Sequence, residues 1–186
     1  MDNEERFYAR VLQCKEDYQS RFGKSIELFI ETGTATGQTS LWAADHFDKV
    51  ITVELMDDLY ISAIHNLWDR WNVRVLSGNS SEWTIRVFDD IQEEAIWFLD
   101  AHNVNRSDGL VPPEETPVMK EIEKITYSRS EVIIIDDLRL FGSEPGYPSV
   151  GDIRDLMEAR QYEFSIYPDE DLMIAFGTVK PKEASA

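Results

Sequence analysis

Acids at the ends of apolar runs are the residues of this chain best placed to do chemistry. Glu31 follows Leu28-Phe29-Ile30, Glu54 follows Val50-Ile51-Thr52-Val53, Asp100 follows Ala95-Ile96-Trp97-Phe98-Leu99, and Asp136-Asp137 follow Val132-Ile133-Ile134-Ile135. Carboxylates brought together at neighbouring strand tips repel, so one of them takes up a proton unless a cation joins them. Hard cations with oxygen ligands, Mg²⁺, Ca²⁺ or Mn²⁺, suit a group made of Asp100, Asp136 and Asp137. His102, close by in sequence, has an ordinary pKa of about 6.5 that suits proton abstraction at neutral pH. The plainer alternative for His102 is a loop histidine bonded to a carboxylate.

Glu31 also opens the run Glu31-Thr32-Gly33-Thr34-Ala35-Thr36-Gly37, and Thr39-Ser40-Leu41-Trp42-Ala43-Ala44 soon after has a helix-starting composition. That order predicts a strand, a tight turn and a helix. Glycine lets the backbone come close to a ligand in such a turn, and the following helix aims its free N–H groups there. The glycines are spaced Gly33-x-x-x-Gly37, so the dinucleotide fingerprint is incomplete. No Tyr-x-x-x-Lys pair occurs either. Glu54 falls about 20 residues after Gly33, where an acid holds ribose hydroxyls in doubly wound folds. Glu31 can accept hydrogen bonds from an ammonium group or from water. A ligand with both a ribose and an amino-acid end is therefore favoured over a nicotinamide dinucleotide. The competing reading is an ordinary strand-to-helix turn with two unrelated acids.

Glu31 to Gly37, followed by Glu54, resembles the first two motifs of the class I S-adenosylmethionine-dependent methyltransferases, and the later strand-tip acids match in order over most of the chain. The resemblance implies an α/β fold: a Rossmann-like, doubly wound, mainly parallel seven-stranded sheet closed by a C-terminal antiparallel hairpin. It implies S-adenosylmethionine as cofactor, with contacts from Glu31, Gly33, Thr34, Gly37, Thr39, Glu54, Ser80 and Asp100. Ser80 would reach the adenine, helped by Asn79 or Ser81, or these three residues cap a helix over 84–92, as Ser and Asn do well.

Phe98-Leu99-Asp100 and Ile134-Ile135-Asp136-Asp137-Leu138 fall where the metal-dependent catechol and caffeoyl-CoA type O-methyltransferases, which they resemble, hold a divalent ion. Two departures matter. Asp137 stands where that family usually has asparagine, and Asn103 replaces its lysine general base. His102 becomes the candidate base, with Asp100 beside it as a second catalytic candidate, and Arg139 could position an anionic part of a substrate. The activity implied is O-methylation of a small hydroxylated molecule assisted by Mg²⁺ or another hard divalent cation. A metal-dependent hydrolase or hydroxylase-like enzyme on a related fold, and a non-catalytic S-adenosylmethionine-binding module, are the alternatives.

The elements that must position these residues follow from periodicity. Helices are expected over 3–22, from Thr39 to His46, from Asp57 to Trp71, over 84–92, from Thr116 to Ile125 and over 151–160. Strands are expected at 28–30, 49–54, 73–78, 95–99 and 132–135. Tyr162–Tyr167 and Leu172–Phe176, joined by Pro168-Asp169-Glu170-Asp171, must form a hairpin, because so short a link cannot cross over a sheet. The whole, 1–186, reads as one domain with an N-terminal helix in 1–23 and a frayed tail at 180–186. A net charge of -18 disfavours nucleic acid and anionic membranes as partners. A lone cysteine, Cys14, and an acidic N-terminus without an export pattern point to a cytoplasmic protein, whose homo-oligomerisation the chain leaves open.

Overall fold

The structure, a computed structural model, describes residues 3–82, 93–102, 116–126 and 131–178. Seven apolar runs become strands: β1 (Leu28–Thr32), β2 (Lys49–Glu54), β3 (Val73–Ser77), β4 (Ala95–Leu99), β5 (Val132–Ile135), β6 (Tyr162–Tyr167) and β7 (Leu172–Gly177). They form one sheet in the order β3-β2-β1-β4-β5-β7-β6. The first five are parallel, while β7 runs antiparallel to both β5 and β6. Every residue of β1, β4 and β5 is buried, as strands covered on both faces require. The fold is the Rossmann-like, mainly parallel, hairpin-closed sheet that the resemblance implied.

Side-chain alternation divides the core between the two faces. Leu28, Ile30, Trp97, Leu99, Ile133 and Ile135 pack with α4 (Val118–Ile125) and α5 (Val150–Ala159). Phe29, Ile96, Phe98 and Ile134 face the other way, onto Val11, Cys14 and Tyr18 of α1 (Asn3–Phe22). α1 lies on the sheet, with the Phe7 ring 4.6 Å from that of Phe98 and Tyr8 stacked on Trp42 at 4.4 Å. Arg10 of α1 donates two hydrogen bonds of 2.7 Å to Glu170 in the β6–β7 turn. Cys14 is 2% exposed, and burial pushes its thiol pKa up to about 12.

Some boundaries shift. The helix expected to run to Trp71 is α3 (Asp57–Asn66); Leu67 ends it, and successive turns, Arg70 N–H to Leu67 and Val73 N–H to Arg70, feed β3. Trp68 and Trp71 are left 80% and 91% exposed on that connection. α2 (Gln38–Ala43) stops three residues before His46, which stacks on Trp42. α4 starts at Val118, behind Pro117 at its N-cap. α5 starts at Val150, where Ser149 and Asp152 exchange hydrogen bonds in a capping box. The helix expected over 84–92, Asn103 and the tail at 180–186 lie outside the described residues, apart from which no helix is long and apolar enough to cross a membrane.

Candidate functional site

The parallel strands bring Glu31, Glu54, Asp100, Asp136 and Asp137 to one rim of the sheet, where their carboxyl ends meet the connecting turns. The turn after β1 is built from left-handed backbone: Gly33 at φ 86°, Ala35 at 47° and Gly37 at 88°. Glu54 is buried at the tip of β2 and faces this turn. One carboxylate oxygen accepts the Ala35 N–H and the other the Met56 N–H, each at 2.8 Å. Each oxygen keeps a further lone pair for another donor. Thr34 is turned inward instead: its hydroxyl meets that of Thr52 at 2.6 Å, its N–H donates to Val53, and its carbonyl accepts from Gly37.

Gly33 has a packing duty as well as the expected ligand-facing one. A Cβ there would lie 2.6 Å from the carbonyl oxygen of Asp100, so the β1 turn and the end of β4 touch through backbone. At Gly37 a Cβ would meet the Leu67 side chain at 2.8 Å.

Glu31, expected at the rim as an acceptor, is 1% exposed beneath the turn. Its Oε2 accepts from Ser40 Oγ at 2.5 Å and from Thr52 Oγ1 at 2.7 Å, and Thr39 is placed to hydrogen-bond it as well. Burial raises its pKa to about 8, against the lowering by these hydroxyls and with a further rise from Asp100. Thr52 lies directly opposite Glu31 in the β1–β2 register, which is why its hydroxyl lands on the carboxyl. That register is set by long-range pairing, so the sequence reading did not find Thr52 or Ser40.

At the tip of β3 the Asn79 side-chain oxygen accepts from Ser81 N–H at 2.9 Å and Ser81 Oγ at 2.8 Å, while the helix these residues were expected to cap lies outside the described residues. Ser80 is buried at 6% exposure beside it.

The strand-tip aspartates do not converge on one point. Asp100 Oδ1 and Asp137 Oδ2 lie 3.5 and 3.1 Å from His102 Nδ1, and these three side chains form one group of potential ligands. Asp136 belongs to a second group with Asp137 and Asp171. Its Oδ1 is bent back to accept the N–H of Asp137 at 2.7 Å, a local bond favoured by the left-handed backbone of Asp137 at φ 60°. Arg139, a candidate for holding an anionic substrate, is bound to two acids: its Nη1 lies 2.7 Å from Asp137 Oδ1 and also pairs with Asp171. Asp171, in the β6–β7 turn, was missed; nothing local in Pro168-Asp169-Glu170-Asp171 distinguishes it from an ordinary acidic turn residue. Burial, followed by the charge of Asp100, pushes the Asp136 carboxyl up to about 7. Burial also raises Asp100, and contact with Asp100 raises His102.

No protein-family model matches the chain, and no curated protein sequence matches it. Solved structures do. A candidate methyltransferase from Streptococcus mutans, solved in complex with SAH, superposes with a TM-score of 0.60 at 13% identity, covering 89% of this chain and 96% of that one. The methyltransferase domain of bacterial CtHen1 gives 0.60 at 10% identity, covering 94% and 100%. A candidate caffeoyl-CoA O-methyltransferase from Staphylococcus aureus gives 0.57 at 18% identity, covering 91% and 81%. The fold is that of these methyltransferases. At such identities the likeness is one of architecture, and the chemistry has to be argued from the rim.

Proposed function

We propose that this chain is an S-adenosylmethionine-dependent methyltransferase that acts on a hydroxyl group of a small molecule. The observation that carries the reading is Glu54: in a fold shared with methyltransferases, its buried carboxylate is held by two backbone N–H groups and directed at the glycine turn. S-adenosylmethionine held at this rim supplies a methyl group on a sulfonium already activated for displacement. The chain's part is to bind, orient and manage a proton. Glu54 grips the ribose hydroxyls through its remaining lone pairs. His102, with Nδ1 turned toward Asp100 and Asp137, keeps its proton on that nitrogen, so Nε2 is the atom that takes the acceptor's hydroxyl proton.

Mg²⁺ fits these residues poorly. It demands octahedral oxygen ligation, whereas Asp136 is bent back onto its neighbour and Asp137 Oδ1 is held by Arg139. The group that does converge, Asp100, His102 and Asp137, includes an imidazole, which suits a borderline ion such as Mn²⁺ or Zn²⁺ better. The proton step above therefore uses His102 and no metal.

Isothermal titration with S-adenosylmethionine and SAH tests the proposal. Both should bind, and Glu54→Gln should weaken both about tenfold, the worth of one charged hydrogen bond. Failure of the wild-type protein to bind either overturns it and returns the hydrolase alternative, which has no use for these molecules. Tight SAH binding without turnover of any hydroxylated acceptor would favour the non-catalytic module.

A further inference from the structure

α3 is apolar on two sides. Ala63 and Leu67 are buried on its inner side, beside Gly37. Ile61 and Ile64, one turn apart, are left 65% and 43% exposed, and Trp68 and Trp71 follow on the connection to β3. Leu55 precedes the helix at 38%, so every large apolar side chain left exposed among the described residues falls between Leu55 and Trp71. A helix with apolar side chains on both sides is ordinarily covered on both. The same stretch leads into an open end of the sheet. α3 packs on β2 and β3, and among the described strands β3 pairs with β2 alone, which leaves its outer backbone edge without a strand. The opposite end of the sheet differs: none of the exposed apolar side chains belongs to β6, and Glu163 there is paired with Arg21 of α1.

We infer that this face and edge are the contact between two copies of the chain, related by a two-fold axis perpendicular to the sheet. About such an axis β3 meets its copy antiparallel, and both α3 helices stay on the same face of the sheet, one on each side of the seam. The area is sufficient: Ile61, Ile64, Trp68 and Trp71 present about 500 Å² per copy, hence about 1,000 Å² over the pair, the size a specific interface must reach. A second copy also meets both needs at once, since it brings an equal apolar set and a free strand edge of its own. A lipid surface would cover the side chains and leave the edge unpaired, and anionic lipid repels a chain of net charge -18. Repulsion between two such chains opposes the contact as well, but the four side chains that form it carry no charge. The contact uses no residue of the cofactor rim, so it stands whether or not the methyltransferase reading does.

Sedimentation velocity on the full chain, from micromolar to submillimolar concentration at physiological salt, tests this. The mass should rise from 21.5 kDa to twice that value as concentration increases. Trp68→Ser combined with Trp71→Ser should weaken association about tenfold or more, as loss of central interface tryptophans does. Should that variant misfold, Ile61→Asp, also at an exposed position, makes the same comparison on the helix. Amide exchange across Val73–Ser77 should slow as the dimer fills, because pairing protects the edge N–H groups. A chain that stays monomeric throughout overturns the inference, as does a dimer whose affinity neither variant changes, or one whose β3 amides exchange as fast as in the dilute protein. Co-sedimentation of the monomer with phosphatidylcholine vesicles, lost in the tryptophan variant, overturns it too and gives the face to a lipid surface.

Discussion

A Cβ on Gly33 would lie 2.6 Å from the Asp100 carbonyl oxygen and 2.9 Å from the Ala101 Cα, and the residue sits at φ 86°. Both facts oppose any side chain: the backbone region is unfavourable, and the neighbour is main chain that cannot rotate away. Gly33→Ala is therefore expected to cost about 3 kcal/mol in urea unfolding, combining positive-φ strain with overpacking. A loss below about 1 kcal/mol would mean that the β4 end moves aside freely. The glycine spacing was legible as a turn and as a possible ligand cradle. That the same glycine makes room for Asp100 was not, because only the β1–β4 pairing puts those residues together. Thr34 shows the converse: its place in the motif suggested a ligand contact, and its hydroxyl instead completes the Thr52–Glu31 network.

Arg10 and Glu170 link α1 to the β6–β7 turn across 160 residues of sequence, through two parallel hydrogen bonds at partly buried positions. The next turn residue, Asp171, accepts the Arg139 N–H on its carboxylate at 2.8 Å and the Leu138 N–H on its carbonyl, tying the turn to the segment that follows β5. A hairpin turn that looked like mere connection thus braces the helix on one side and the acidic rim on the other. Strands and hairpin were readable from apolar runs and link lengths, whereas the order of the strands in the sheet is set by long-range pairing. Which acids of the turn would find partners was not readable either, since partner choice depends on where distant elements pass. Glu170→Gln should cost about 1 kcal/mol, as for a partly buried bidentate pair. It should also raise amide exchange in the first half of α1 while leaving β4 and β5 protected. Uniform exchange throughout would show that the helix opens only with the whole fold.

Across the whole molecule, a chain of net charge -18 folds around a fully buried carboxyl, Glu31. Its ordinary pKa of 4.5 is raised to about 8 in the folded state. The native state therefore favours the protonated form, and the stability this group contributes is fully present below about 4.5 and is lost as pH rises through about 8. The apo protein should accordingly melt at a lower temperature at pH 8.5 than at pH 5. Self-repulsion among the ionised surface acids acts in the same direction. Glu31→Gln, which cannot ionise, separates the two: its melting temperature should fall several degrees less over that range. Equal slopes for variant and wild type would assign the pH dependence to surface charge alone.

Cys14 turns the seat of α1 on the sheet into something that can be timed. A thiol 2% exposed, with its pKa pushed up to about 12, presents almost no thiolate to an alkylating or disulfide-exchange reagent while the helix is docked. As the chain's one cysteine, it gives a single-site signal with no need for an engineered label. Modification faster than global unfolding would clock the helix lifting from Phe98 and Ile174, and Glu170→Gln should quicken that clock. Modification only at the global unfolding rate would mean that the helix never leaves by itself.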